Sequence, residues 1–278
     1  MTPEAYCRNK AAPPGSSLHY ALLFAPAGLR GALWALHGFR AEVVEIPSEC
    51  SDPGVAAVKL GWWREELERA LAGHARHPAA QALQQARSAH DFDPQPLWDV
   101  LDGVAMDLEY GSYPGFAQVS TYFHRVACAP GRLAVNLLGA SEPGTQRFAH
   151  DLAMAVEHTR RLRDVLPLAR RGNVYIPADE LAQAGLAPEQ LRDPAVQDQA
   201  VPVFRQQAER ARQFHRQALE QLPAADRGRQ RAALVMGRLH MALLDVMEAD
   251  GFPLLQRRYH LTALRKLWLA WRQARLSH

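Results

Sequence analysis

Cysteine is scarce. The chain has three, Cys7, Cys50 and Cys128, scattered and odd in number, with no CxxC pair. That argues against a disulfide framework or a zinc site and fits a reducing, cytoplasmic setting. No window approaches the roughly 20 apolar residues of a spanning helix. The opening "MTPEAYCRNK" lacks the apolar core of a secretory signal. Charge of one sign is also lacking: 32 Lys and Arg face 29 Asp and Glu, a net +3, too weak a surplus to imply nucleic acid. There is no GxSxG, P-loop, HExxH or dinucleotide fingerprint. Alternating strand patterns are absent apart from the short "NVYIP", and no repeat or long linker divides the chain.

What is present reads as helix, nearly throughout. With 48% apolar residues a large core is within reach, and 1–278 reads as one all-α domain. "LRGALWALHGFRAEVVEI" carries Leu29, Leu33, Leu36, Phe39 and Val43 at helical spacing. "VAAVKLGWWREELERALAG" opens after Asp52-Pro53 and closes at Gly73. In it, Trp62, Trp63 and Leu67 are expected on the packed side, and Glu65, Glu66, Glu68 and Arg69 in solvent. "RFAHDLAMAVEHTRRLRDVL" is long, amphipathic and expected to stop at Pro167.

Isolated polar residues carry little by themselves. His124 and Arg125 in "YFHRVA" could serve catalysis, but a histidine among apolar helix neighbours more often makes a core hydrogen bond. Asp107 and Glu109 in "MDLEYGSY" are two apart, on different helical faces, and do not form a ligand pair.

Block order and spacing carry more. "YCRNKAAPPGSSLHYALLFAP", "ECSDPGVAAVKLGWWREEL", "GVAMDLEYGSY", "YFHRVA", "RLRDV…ARRGNVYIPADEL", "FRQQAERARQFHRQALEQLP" and "LTALRKLWLAWR" run from about Tyr6 to Arg272. Together they resemble the squalene/phytoene synthase family, and within it the bacterial presqualene diphosphate synthases. The resemblance implies an all-α isoprenoid synthase bundle around a central apolar cavity. It also implies head-to-head condensation of two prenyl diphosphates, with Mg²⁺ held by two facing aspartate-rich motifs. A departing diphosphate needs its charge neutralised, and carboxylates anchor the metals that do so.

The motifs themselves depart from the family. Its Asp-Asp-x-x-Asp falls on Val44, Glu45, Ile46, Pro47 and Ser48, leaving Glu45, with Glu49 nearby. The second motif falls on Asp164, Val165, Leu166, Pro167 and Leu168, leaving Asp164. Each has gained a proline, which inside a helix costs about 3 kcal/mol or more. The family's Cys-Arg reads Arg40-Ala41. His37 and His240 replace tyrosines, and Glu157 and Arg160 replace Gln and Asn. Most of these changes add positive charge. Glu42, Glu45 and Glu49 would share a face in an unbroken helix, but Pro47 lies between them and is expected to break it.

The resemblance, so qualified, leaves three readings. The first is a catalytically degenerate member, a pseudoenzyme that works by binding. It would stabilise a partner synthase or, like the mitochondrial complex I assembly factor of this family, serve respiratory-complex assembly. The second is a metal-independent binder of a prenyl diphosphate or other lipid, with Arg40, Arg160 and Arg163 on the phosphate; alternatively these arginines pair with Glu157 and Asp164. The third is an active prenyltransferase using farnesyl diphosphate with an unusual metal site. No cofactor is expected, Mg²⁺ being required only in the third reading. The protein is expected in the cytoplasm, peripherally at the inner face of the membrane if its lipid ligand requires it. In "LTALRKLWLAWRQARL", Leu261, Leu264, Trp268 and Trp271 suit either an interfacial helix or one docked on the bundle, and docking is favoured.

Overall fold

The helices begin where the sequence supplies caps and prolines. In the computed structural model, which describes every residue except Ser51, Ser277 and His278, Thr2 caps α1 (Pro3–Ala11) and Ser16 caps α2 (Ser17–Leu22). Then come α3 (Ala27–Val44) and the single turn α4 (Ile46–Glu49). Asp52 accepts from the Val55 amide and starts α5 (Pro53–Leu71), as its Asp-Pro punctuation predicts. Ser51, inside that Glu49–Pro53 block, lies outside the described residues. The first half closes with α6 (Pro78–His90) and α7 (Gln95–Glu109).

The second half opens with α8 (Phe116–Phe123), which runs through a π-helical turn at His124–Cys128 into α9 (Ala129–Leu137). The long α10 (Pro143–Arg163) is followed by the short α11 (Val165–Ala169) and α12 (Ala178–Gln183). Helices α13 (Gln197–Gln221), α14 (Ala224–Arg227), α15 (Arg231–Ala249) and α16 (Ala263–Leu276) complete the chain. Among the described residues "NVYIP" contributes only an isolated bridge, Ser112 to Val174.

Two apolar cores organise the bundle. One joins α3, α5, α6 and α7 through Phe39, Trp63, Leu67, Leu83 and Leu101; the other joins α13, α15 and α16 through Phe204, Leu239, Leu244 and Ala270. Helix α10 packs along α13 and is pinned at its start by buried Asp226. That carboxylate accepts from the Ser141 and Glu142 amides and the Thr145 hydroxyl.

Two glycines permit close approaches that bear on the sites below. A Cβ on Gly38 would lie 2.8 Å from the Cys7 Cβ, so glycine lets α1 lie directly on α3. A Cβ on Gly103 would lie 2.6 Å from Val126, so glycine lets α7 reach the π turn.

Three local expectations need correction. Trp63 and Leu67 are buried, but Trp62 is 40% exposed, and Glu66 is fully buried rather than solvated. Its carboxylate accepts from the Arg76 and His77 amides and from Arg69, capping the loop after α5. Burial works to raise the Glu66 pKa, but these donors outweigh it and the pKa falls. Second, α10 ends at Asp164, three residues before Pro167, which sits inside α11. Lacking an N–H, Pro167 cannot bond to the Arg163 carbonyl, and the helix breaks upstream of it. Third, α16 docks by Leu269, Ala270 and Ala274. Of the residues assigned to the docked face only Leu261 is buried; Leu264, Trp268 and Trp271 are exposed.

Candidate functional site

Between the two halves lies a cavity of about 420 Å³. Its apolar side comes from α2, α3, α9, α10 and α15, among them Leu22, Leu33, Leu138, Leu152 and Met236. Its polar side gathers five cations, Lys10, Arg40, Arg160, Arg163 and Lys266, against two carboxylates, Glu45 and Glu157. His37 and His240 also face it. Burial first, then Arg40 and Arg160, pushes His37 down to about 3. Burial pushes His240 down to about 4, with Arg160 and Arg163 adding to it despite its bond to the Met236 carbonyl. Both are neutral at physiological pH and add no charge.

The remnants of both motifs sit at helix ends, where the chain has made the two prolines tolerable. Glu45 is the C-cap of α3, and Pro47 falls in the first turn of α4, a position that needs no donor. Asp164 is the C-cap of α10. Helix C-termini carry partial negative charge and favour cations, and cations have gathered at both.

Around Glu45 the sequence expectation fails informatively. Glu42, Glu45 and Glu49 do converge despite Pro47, on a lysine. The Lys10 ammonium lies 2.8 Å from Glu45, 3.4 Å from Glu42 and 3.7 Å from Glu49. Glu42 also accepts from the Tyr6 hydroxyl, and Glu49 pairs with Lys59 at 2.6 Å. Burial opposes ionisation of Glu49, but Lys59 and Lys10 outweigh it and lower its pKa. At the other remnant, Asp164 pairs with Arg163 and, at 2.6 Å, with Arg258. Burial is again outweighed, here by Arg163 and Arg258, and its pKa is lowered. Glu45 lines the cavity; Asp164 and Glu49 do not.

The arginines proposed for phosphate are also anchored. Glu157, buried, binds Arg40 at 3.0 Å, Arg160 at 3.1 Å and Arg161 at 2.8 Å. Burial would raise its pKa; Arg160, Arg161 and Arg40 override it and hold the carboxyl well below the usual carboxylate range. Arg40 also donates to the Val126 carbonyl. Arg161 extends the network: it donates to the Tyr122 hydroxyl and lies 4.0 Å over the Tyr175 ring. Tyr113, Tyr122 and Tyr175 all donate to buried Asp107. Glu109 is exposed and apart from it, as the spacing suggested.

Mg²⁺ requires several carboxylate or water oxygens in near-octahedral array. Glu45 and Asp164 each already hold a protein cation, and the remaining charged groups on the cavity are ammonium, guanidinium or the arginine-saturated Glu157. This donor set does not fit a Mg²⁺ cradle. Sequence reasoning overlooked Lys10 and Lys266. The signal for Lys10 was present: it lies one turn after Tyr6 on α1, and both reach Glu42.

A helical bundle enclosing an apolar cavity with a charged side defines the architecture of the isoprenoid synthases. The fold matches a crystallised dehydrosqualene synthase (TM-score 0.85, 19% identity, 99% of this chain and 96% of that one). It also matches squalene synthase HpnC of Alicyclobacillus acidocaldarius (TM-score 0.76, 21% identity, 90% and 94%). The sequence profile described as Squalene/phytoene synthase matches residues 11–265, and the chain belongs to that family. It is 28% identical over 281 residues to the 15-cis-phytoene synthase of Synechococcus elongatus, covering 95% of this chain and 90% of that protein. It is 30% identical over 275 residues to the chloroplastic phytoene synthase 2 of Solanum lycopersicum, covering 95% and 88%.

Proposed function

We propose that this protein binds the phosphate end of an isoprenoid or related lipid through its own cations, without Mg²⁺, and acts by binding rather than by metal-dependent prenyl transfer. One observation carries the reading: the surviving motif carboxylates are occupied by Lys10, Arg163 and Arg258, while cations outnumber carboxylates on the cavity wall. Glu157 holds Arg40 and Arg160 in place. Arg160 keeps 37% of its side chain exposed, and Lys266 donates to a backbone carbonyl, that of Gly15. Guanidinium forks suit phosphate oxygens in this arrangement, and the apolar side suits a prenyl tail. A cytoplasmic binding or assembly subunit would present such a ligand, or the liganded surface, to a partner synthase or a respiratory-complex assembly partner.

The exposed face of α16 extends the reading to a membrane. Leu264, Leu267, Trp268 and Trp271 are exposed, with Arg272 and Arg275 over the two indole rings, and Lys266 on the same helix lines the cavity. Apolar and cationic groups together suit an anionic lipid surface. Sedimentation with anionic vesicles, weakened by Trp268→Ala with Trp271→Ala and by high salt, is the expected result. Equal sedimentation of the variant would remove this part of the reading.

The second reading, an active enzyme, is favoured by the near full-length similarity to phytoene synthases. Incubation of the folded protein with farnesyl diphosphate, with and without Mg²⁺, separates the two. The binding reading expects ligand-induced thermal stabilisation in chelator and no diphosphate release; Mg²⁺-dependent release with a condensed product would establish the second.

A further inference from the structure

On the side of α9 and α10 away from the cavity, three side chains meet that the proposed lipid binding does not use. Ligand atoms of His124, Cys128 and His150 all lie within 4.8 Å of one another. We propose that they form a binding site for a borderline-soft divalent metal, Zn²⁺ foremost.

The donor chemistry selects the metal class. One thiol and two imidazoles match zinc, which takes Cys and His ligands tetrahedrally at roughly 2.0–2.3 Å. Such bonds hold ligand atoms somewhat under 4 Å apart. The observed spread therefore needs about an ångström of closure. The two histidines can supply it, since both are only partly buried, while Cys128 is fixed in the core.

Local structure supports the site independently of those distances. His124 and Cys128 are the first and last residues of the π turn, a distortion frequent at functional sites. Gly103 permits α7 to pack against that turn. The histidine rings already stand 5.6 Å apart, centre to centre. His150 Nδ1 lies 3.0 Å from the Asp151 carboxylate. A carboxylate only accepts, so Nδ1 carries the proton and Nε2 is left for a metal, the usual carboxylate–histidine–metal arrangement. His124 opens on a second groove, about 470 Å³, shared with Asp99 and Asn136, which gives entry and a fourth ligand from water or Asp99. Binding would release the Cys128 thiol proton to solvent.

The site escaped the sequence because its ligands are not a metal-binding string. His124 and Cys128 lie in one block and His150 in another, brought together only by the packing of the π turn on α10. Their neighbours Ala127 and Ala149 line the cavity, so a metal here would clamp two elements of the cavity wall from behind.

The test uses the full chain, stripped with chelator and dialysed, then titrated with Zn²⁺ and separately with Co²⁺. One equivalent of Zn²⁺ should bind and raise the melting temperature, and Co²⁺ should give a thiolate charge-transfer band. His124→Ala with His150→Ala removes two ligands on partly exposed side chains, and should leave metal-free melting unchanged while abolishing both signals. Asp151→Asn should weaken binding by about 10–100-fold. Cys128→Ser should remove the band, and its fold is checked by its metal-free melting. Unchanged Zn²⁺ uptake in the double-histidine variant, or cobalt binding without the thiolate band, would overturn the proposal.

Discussion

The two sides of the cavity differ in chemistry. The apolar side, from Leu22, Leu33, Leu138, Leu152 and Met236, is a hydrophobic pocket of the kind a prenyl chain needs. The charged side is built of ion pairs: Lys10 sits among three glutamates, and Arg258 and Arg163 hold Asp164. On the proposed reading, the scaffold would keep the space for a tail while replacing the means of handling a diphosphate.

The strongest way to break this contrast is to remove the carboxylate that organises the charged side. Glu157→Gln should cost about 3–5 kcal/mol, because three guanidinium groups lose a buried partner. Denaturant unfolding reads it, and a loss under 1 kcal/mol would mean the arginines do not depend on Glu157. Next, Gly38→Ala forces a Cβ against Cys7 and lifts α1, with Lys10 on it, from α3. Overpacking of this kind costs roughly 1–3 kcal/mol, and a melting curve like that of the parent would show that α1 moves freely.

Lys10→Ala sharpens the comparison from the other direction. With the ammonium gone, Glu42, Glu45 and Glu49 would have no shared cation, and the variant should gain thermal stabilisation from millimolar Mg²⁺ or Ca²⁺ that the parent lacks. Equal response of both proteins would show that the lysine does not occupy a cation position.

The remaining expected effect concerns pH rather than a substitution. His158 and His240 are buried and neutral: burial, then Arg210, pushes His158 down to about 3, and burial with Arg160 and Arg163 pushes His240 down to about 4. The unfolded chain takes up protons below about 6.5 that the folded chain refuses. Their stabilising contribution is thus complete above that pH and lost as pH falls towards 4 and 3, by up to about 1.4 kcal/mol per pH unit for each histidine. A urea midpoint that stays flat between pH 6.5 and 4.5 would contradict this, and His240→Phe should reduce the slope.

Much of this was legible in the chain. Asp52-Pro53 starts α5 as read. Other features required the fold. Pro47 was expected to scatter Glu42, Glu45 and Glu49, but a proline at the first turn of a new helix costs little, and α1 delivers a lysine from more than thirty residues away. Glu66 looks solvated because nothing in its own helix reveals the two loop amides it accepts from. Trp268 and Trp271 follow the apolar spacing of a docked helix, yet Leu269, Ala270 and Ala274 make the actual contact.

The central claim is that cations of the protein have taken over the work of Mg²⁺ at the phosphate end. Its most direct measurement is calorimetric binding of farnesyl diphosphate in chelator and in Mg²⁺, for the parent and for Arg163→Ala. Comparable affinity in both buffers is predicted, weakened about 10–100-fold by the variant through loss of a charge-assisted hydrogen bond. Binding seen only with Mg²⁺, and indifferent to Arg163, would contradict it.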